Sequence, residues 1–581
     1  MLKDFKNIFS VLNNKQKLNS GFLIILIILG SIIELTCLLS LYEIIKFTSS
    51  QITNSKVDEI NFLFKFTLSL FSFNEGLKNL LFFTLFLYIF KFFYSLIVNF
   101  FQYIFINSVS VDLSLSLFKS YLNKDYSFFL KYNPSLLIRN TESEVGQFIL
   151  GCLFQAISLI TEISILLLII TALFLINSEA ILIISLFFLI IIFVYFFLVK
   201  KILLRQGQNR VYFSEKIIKI INESFYGIKS LKIFNANNYF IELFKYNKRK
   251  LARANICFAV LSQLPKNALE LICVAAVCIF FYKNISLNIL QANTLSALGF
   301  FVIATFKIIP SITKIILALQ NFRFSRPSTQ IVQNEIFKIK NQSPNNQIEN
   351  NYHLKDVNFK STIKLSNLYF RYQDSKDYVL KNVNLVIKKG DRIGIIGETG
   401  SGKSTLIDII IGLLNPTSGN VLVDGININR LKNNWLKKIG YVPQKIFLTD
   451  DTIKNNIAFG KFKEDMDIKK INKSMKEVKL RKLSKINRFS KVTIGQDGIN
   501  LSGGQIQRIG IARCLYKKSD LFIFDESTNA LDALTEEKII QLIKKISKNK
   551  TLIIISHNVQ NLLMCNKLFS LSTNGFLKKI R

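Results

Sequence analysis

The chain reads as an α-helical six-span transmembrane domain followed by an α/β domain of the P-loop type. Three observations predict this. Long apolar windows crowd into the first half. Lys and Arg gather in particular loops between those windows. In the second half, short β-branched runs alternate with helical stretches around a glycine-rich loop, the pattern of a layered α/β domain.

The composition supports the membrane half. Of 581 residues, 50% are apolar and 53 are Phe, too greasy for a disordered chain or an ordinary soluble one. Basic residues number 75 against 38 acidic, net +37. A basic and greasy chain fits a nucleic-acid binder or a membrane protein with a basic cytoplasmic face. Residues 1–330 hold 32 basic and 16 acidic side chains, and residues 331–581 hold 43 and 22. The charge is therefore spread while the apolar content is not. Residues 147–199 contain no Lys or Arg and only Glu162 and Glu179 as acids. That stretch, broken at Asn177-Ser178-Glu179, is two membrane helices with a tight turn. The partner it implies is a membrane, with no nucleic acid.

Spans are expected at 21–45, 79–106, 148–176, 180–199, 257–282 and 284–309, each near the roughly 20 residues that cross a hydrocarbon core. The 200–256 segment carries 13 Lys/Arg, the 107–146 segment four and the first 20 residues four. The turn near 177–179 has none, and that between the last two spans has Lys283 alone. By the positive-inside rule the N-terminus, both long loops and the C-terminal half are cytoplasmic. The first external loop centres on an apolar segment, 60–71, too short to span and suited to an interfacial helix. The first 20 residues are polar, and no small-residue cleavage site follows the first apolar run, so no cleaved signal peptide is expected.

Five charges, Glu34, Lys91, Glu162, Lys266 and Glu270, fall inside these spans. Lone charges in hydrocarbon are costly, so they should face the bundle or a water-filled path. Lys266 and Glu270 stand i,i+4 and can pair. The seven cysteines (Cys37, Cys152, Cys257, Cys273, Cys278, Cys514 and Cys565) include no CxxC, and five lie in or beside apolar segments. This argues against a disulfide framework and a zinc site. With only His353 and His557, a histidine-based metal site is not expected. An Asn- and Gln-rich linker is expected at 326–361, dividing a membrane domain, 1–325, from a nucleotide-binding domain, 362–581.

Gly397-Glu398-Thr399-Gly400-Ser401-Gly402-Lys403-Ser404 matches G-x4-G-K-[ST] in full. It follows an apolar strand, Arg392–Ile396, and opens a helix at Thr405, the context this motif requires. Glycines let backbone N–H groups curl around phosphate, and the helix N-terminus adds positive potential. Lys403 would reach the β- and γ-phosphates of ATP, and the Ser404 hydroxyl would ligate Mg2+. Leu521-Phe-Ile-Phe-Asp525-Glu526 is an apolar strand ending in two acids. Asp525 would hold Mg2+ and Glu526 would act as general base on the attacking water.

Leu501-Ser502-Gly503-Gly504-Gln505 then gives the resemblance. With the P-loop and the acid pair, the chain resembles an ATP-binding cassette (ABC) transporter of the exporter half-transporter type. The resemblance implies further roles. Tyr372 would stack on adenine. Gln444, in Tyr-Val-Pro-Gln, would sense Mg2+. Ser502, Gly503, Gly504 and Gln505 would form the signature loop that caps the γ-phosphate of ATP held by a second copy. Leu531-Asp532 would form the D-loop, and His557 would be the switch histidine on the γ-phosphate. Residues 126–133 and 222–229 would include the coupling helices resting on the cassettes. Departures from the family's usual pattern are Gln496 where Glu is frequent, Asn529 for Ser and Asn558 for Arg; none removes a catalytic group.

More narrowly, the external segment 60–71, the stretch Glu223 to Phe240, Phe306–Lys314 and Asp450–Gly460 resemble bacterial lipid-linked oligosaccharide flippases. The implied activity is ATP-driven export or flipping of a lipid-linked or amphipathic substrate across the cytoplasmic membrane by a homodimer. The alternatives are a multidrug, lipid A-like glycolipid or peptide exporter, and an ATP-gated channel or regulator, against which Glu526 and His557 speak.

Overall fold

The computed structural model describes residues 10–53, 76–176, 178–286, 292–349, 359–373, 375–480, 494–495, 501–527, 533–548 and 550–581. The apolar segment 60–71, His353, Gln496, Asn529 and Leu531-Asp532 lie outside these residues. The chain separates into two compact units, one comprising residues 1–124 and 131–343, the other 125–130 and 344–581.

The first unit is built of long helices. They are α1 (Asn14–Thr53), α2 (Gly76–Leu122), a rod from Pro134 to Ile176, α7 (Ser178–Tyr226), α9 (Asn237–Ser286) and α10 (Ala292–Glu349). The rod is α-helical over α4 (Pro134–Ile138), α5 (Val145–Phe148) and α6 (Phe154–Ile176), with π-helical stretches at Arg139–Glu144 and Ile149–Leu153. Two short helices interrupt the series along the chain: α3 (Tyr126–Lys131), whose residues up to 130 belong to the second unit, and α8 (Ile228–Ile233). At 1.5 Å per residue the 47 residues of α2 reach about 70 Å, and the 58 of α10 about 87 Å. A hydrocarbon core of about 30 Å holds less than half of either. The spans therefore run on far beyond any bilayer, and the long loops are mostly helix.

Among the described residues, Asn14–Leu41, Leu80–Leu122 and Pro134–Thr171 are long and apolar enough to cross a membrane. The windows at 180–199 and 257–282 fall within α7 and α9. The last break differs from the expected one. Lys283 sits inside α9, and α10 starts only at Ala292, so the sixth helix begins later than residue 284. Residues 326–349, expected as linker, continue α10 as helix. Their apolar positions explain this: Val332 and Ile336 are buried, four residues apart on one helical face.

Side-chain chemistry fixes the contacts between helices. Glu34 of α1 is shared by Lys91 of α2, at 2.8 Å, and by Lys307 of α10. Glu162 of α6 is buried and accepts from Lys314 of α10 at 2.6 Å. Lys266 and Glu270 face each other along α9 at 3.8 Å, both largely exposed. Pro265 stands inside α9 and cannot donate to the carbonyl four residues back. That carbonyl, Leu261 O, instead accepts from Gln320 Nε2 of α10 at 3.1 Å.

The second unit holds two sheets. One has the order β2-β1-β4-β5, with β1 (Thr362–Phe370), β2 (Leu380–Lys388), β4 (Ser418–Val423) and β5 (Ile426–Asn427), all antiparallel. The other runs β10-β9-β3-β8-β7-β6, with β3 (Arg392–Gly397), β6 (Ile439–Val442), β7 (Leu521–Asp525), β8 (Thr551–Ile555), β9 (Lys567–Leu571) and β10 (Leu577–Lys579). All its pairs are parallel except β9 with β10. Burial follows the class. Every residue of β7 and β8 is buried, as parallel strands covered on both faces require, whereas β2 alternates like a half-solvated antiparallel strand. The helices used below are α11 (Lys403–Ile411), α12 (Ile428–Lys438), α13 (Ile453–Ile457), α14 (Ile468–Glu477), α15 (Gly503–Tyr516) and α16 (Ala533–Ile546). Trp435 of α12 is fully buried, and its Nε1 donates to Ile410 O at 3.0 Å, giving the indole N–H the partner it needs inside.

Candidate nucleotide site

Three neighbouring parallel strands, β3, β8 and β7, end on the same side of the sheet. Each end delivers one part of the site. Open α/β sheets bind ligands at the carboxyl ends of their strands. β3 leads into the P-loop, β7 ends in Asp525 with Glu526 next, and β8 is followed by Ser556 and His557.

The P-loop has the form its sequence predicts. Gly402 caps α11 at φ +94°, and Gly400 sits at φ +84°, conformations glycine adopts without steric cost. Gly397 tolerates no side chain, since a Cβ there would lie 2.4 Å from Leu571 O. Lys403 is buried, and its Nζ donates to Gly397 O at 2.9 Å and Glu398 O at 2.8 Å. The ammonium is thus held over the loop where phosphates belong. Ser401 Oγ is buried without a hydrogen-bond partner among the described residues, a polar group a bound phosphate shell could satisfy.

Glu526 is the centre of the constellation. His557 Nε2 lies 2.8 Å from its Oε1, Lys403 Nζ 3.8 Å from the same oxygen, and Gln444 Nε2 donates to Oε2 at 3.2 Å. Its backbone is left-handed, φ 44°, a costly conformation for a non-glycine residue and one that concentrates at functional sites. The Glu526 N–H donates to Ile555 O at 3.0 Å, which ties β7's end to β8 through that turn. Ser404 stands near enough to the Asp525 carboxylate to favour its charged form. The hydroxyl and carboxylate expected to hold Mg2+ are therefore side by side, and the donor set fits the ion.

Sequence reasoning missed two residues. Tyr441, at the end of β6, donates its hydroxyl to Asp525 Oδ2 at 3.1 Å. Asp408 stands four residues beyond Ser404, on the same face of α11. Burial, and then the charge of Asp525, push the Asp408 carboxyl up to about 6. Burial also raises Asp525, and the Glu526 charge adds to it, while Tyr441 and Ser404 work the other way. Burial, with the charges of Asp525 and Asp408, pushes the Tyr441 hydroxyl above its ordinary range, so it stays a donor. The i,i+4 spacing from Ser404 was a readable signal for Asp408; nothing local marked Tyr441.

Tyr372 is half-exposed, and its hydroxyl meets Thr405 Oγ1 at 2.9 Å, so the aromatic stands beside the P-loop helix. Ser502 caps α15 in a capping box: Gln505 N donates to its Oγ at 3.4 Å and its own N–H donates to Gln505 Oε1 at 2.9 Å. Gly503 and Gly504 form the first turn, and a Cβ on Gly504 would come 2.6 Å from Thr535 of α16. Asn558 accepts from Gln560 N at 3.0 Å and caps the short turn after His557. Thr399 is exposed at the loop's crown.

A membrane unit of long apolar helices joined to a P-loop unit with a signature loop defines an ABC-type protein, and comparison agrees on both halves. The ABC transporter transmembrane region model matches residues 20–309, and the ABC transporter model matches residues 380–529. The chain belongs to the ABC transporters, with a transmembrane region and an ATP-binding region in one polypeptide. It is 34% identical over 210 residues to the ATP-dependent lipid A-core flippase of Pasteurella multocida, a match covering 36% of each chain. It is 35% identical over 225 residues to the alpha-hemolysin translocation ATP-binding protein HlyB of Escherichia coli O157:H7, covering 37% of this chain and 31% of that one. These matches span about a third of the relatives' length. A solved bacterial Atm1-family ABC exporter with ATP bound has the same fold, with TM-score 0.76 at 18% identity over 97% of this chain and 95% of that one.

Proposed function

We propose that the chain hydrolyses ATP with Mg2+ and, as a homodimer in the cytoplasmic membrane with its cassettes and N-termini in the cytoplasm, exports or flips a lipid-linked or amphipathic substrate. A lipid-linked oligosaccharide or polysaccharide precursor is favoured. The observation that carries the reading is the convergence of Lys403, Gln444 and His557 on Glu526, with Ser404 against Asp525.

The chemistry follows from those positions. Lys403 and the backbone N–H groups of Glu398 to Thr405 hold the phosphates of ATP, and Tyr372 stacks on its adenine. Ser404, Asp525 and Gln444 would hold Mg2+, which when bound would supply positive charge against the phosphate oxygens. Glu526 takes a proton from the attacking water, whose oxygen bonds to the γ-phosphorus as the bond to the β-phosphate bridging oxygen breaks and ADP leaves. His557, between Glu526 and solvent, donates to the γ-phosphate. Ser502 to Gln505 and Asp532 close the equivalent site of the second copy.

The substrate reading draws on the lipid A-core flippase relative and on charges where the membrane helices pack, since Lys91 and Lys307 share the one carboxylate of Glu34. An anionic headgroup is the ligand such a surplus cation attracts. The second reading, export of a glycolipid, drug or peptide, takes its support from the hemolysin relative. Proteoliposomes loaded with candidate lipids decide between them. ATP-dependent translocation of a lipid-linked oligosaccharide is expected, and Lys91→Ala should lose it at unchanged protein level. Glu526→Gln should bind ATP while hydrolysis drops roughly 100-fold or more. Undiminished turnover in that variant refutes the base, and transport of peptides alone refutes the lipid substrate.

A further inference from the structure

A buried polar knot lies in the membrane unit, apart from the nucleotide site. Glu144, the last residue of the first π-helical stretch, is completely buried. Arg210 of α7 donates its Nη2 to Glu144 Oε2 at 2.8 Å and to Ser328 Oγ of α10 at 2.5 Å. Arg139 Nε stands 3.8 Å from Glu144 Oε1, and Arg139 Nη1 pairs with Glu215 of α7. Arg139 Nη2 donates to Asn140 Oδ1 at 2.8 Å, and Asn140 Nδ2 donates to the Tyr121 hydroxyl of α2 at 3.2 Å. Gln147 Nε2 donates to Ser325 Oγ of α10 at 2.7 Å. One network thus touches α2, the rod from Pro134, α7 and α10.

The backbones press equally close at this level. A Cβ on Gly151, in the second π stretch, would lie 1.9 Å from Ser325 Oγ, and one on Gly207 of α7 would lie 2.1 Å from Phe324 O. α10 at Phe324 to Ser328 is therefore fixed against both neighbouring rods, by contact and by charge. Single-turn π segments are rare and mark functional sites; here two flank α5, which carries Gln147.

The connectivity gives the knot its meaning. The rod from Pro134 begins just after α3, α7 ends just before α8, and α10 is the last helix before the cassette. The segments expected to rest on cassettes, 126–133 and 222–229, take in α3 and the junction of α7 with α8. Buried Arg–Glu pairs contribute little net stability against apolar replacements, and their best-attested use is to fix register. We propose that Glu144, Arg139 and Arg210 form a clamp that makes the cytoplasmic parts of these rods move as one body. They are positioning residues for coupling, acting through helix register and never touching nucleotide. The inference rests on the exporter reading above.

The test uses the full chain, freed of its cysteines, in nanodiscs. Spin labels are placed singly at Lys229 of α8 and at Thr171 near the far end of α6. Each reports the distance between copies, with and without ATP and vanadate. In the parent chain both distances should shift together. With Glu144→Gln or Arg210→Ala, the Lys229 shift and the ATPase should persist, while the Thr171 shift falls below a third of its parent value. The charge swap Glu144→Arg with Arg210→Glu should restore it. A Thr171 shift that survives in both single variants overturns the clamp. For variants that do not fold, Gln147→Cys with Ser325→Cys, joined by a short bis-maleimide that adds one thiol to each of its double bonds, replaces them, with the spin labels carried on a ketone-bearing unnatural residue at 229 or 171. Both shifts should survive the cross-link, and their loss would show that the helices slide past each other. A parent chain without ATPase, or with no shift at either label, refutes the exporter reading itself.

Discussion

At the end of β7 the backbone turns left-handed at Glu526, and that strained residue is where Lys403, Gln444 and His557 meet. The strain aims one carboxylate at the space in front of the P-loop. Its neighbour Asp525 faces the other way, toward Ser404 and Tyr441. Two adjacent acids thus receive different partners, and so different roles, from a single turn of chain. Tyr441 matters because a hydrogen bond to an ionised acceptor contributes about 1.5–3 kcal/mol. Tyr441→Phe keeps the ring and removes the bond, so ATPase activity should fall about 10-fold or more, with the loss partly recovered at high Mg2+. Unchanged turnover and unchanged Mg2+ dependence would leave Tyr441 a packing residue. The P-loop, acid-pair and signature residues could be read from the chain because their chemistry depends on local spacing. Tyr441 could not, because it meets Asp525 across 84 residues through the parallel pairing of β6 with β7. Asp408 was legible through its i,i+4 spacing from Ser404, although a polar residue amid Leu406, Ile407, Ile409 and Ile410 also reads as a helix's wet face.

At the scale of elements, long apolar windows predicted which segments are helix, but helix ends followed packing. α10 runs through the Asn- and Gln-rich stretch to Glu349. Ser325, Ser328 and Val332, fully buried, continue its packed face beyond the last span. Polar composition alone suggested a linker there, because Ser and Gln are ordinary in loops and only tertiary contact shows them inside. The same helix repairs its neighbour, since Gln320 supplies the donor that Pro265 withholds from Leu261 O. The net contribution of such a hydrogen bond is about 0.5–1.5 kcal/mol. Gln320→Leu should therefore speed amide exchange around Leu261 by up to about 10-fold while distant helices of the unit keep their protection. Exchange unchanged near Pro265 would mean that the Leu261 carbonyl does not depend on Gln320.

At the scale of the whole molecule, one chain carries every cassette motif. Ser502 faces solvent and is bonded within its own helix to Gln505. Its helix N-terminus is a surface suited to an anion, whereas Lys403 is already committed to its own P-loop. The division suits two copies placed head to tail, each P-loop facing the other's signature loop. Such a dimer makes a distinctive forecast for linked copies. With Lys403→Ala in one copy and Ser502→Arg in the other, both lesions fall on the same composite site, and the second site stays whole. With both substitutions in one copy, each site loses a part. The first arrangement should keep up to half of the parent ATPase, and the second almost none. The reverse pattern, with activity kept only when both substitutions lie in one copy, would show that each chain completes its own site, and the dimer would then have to be explained by the membrane helices alone.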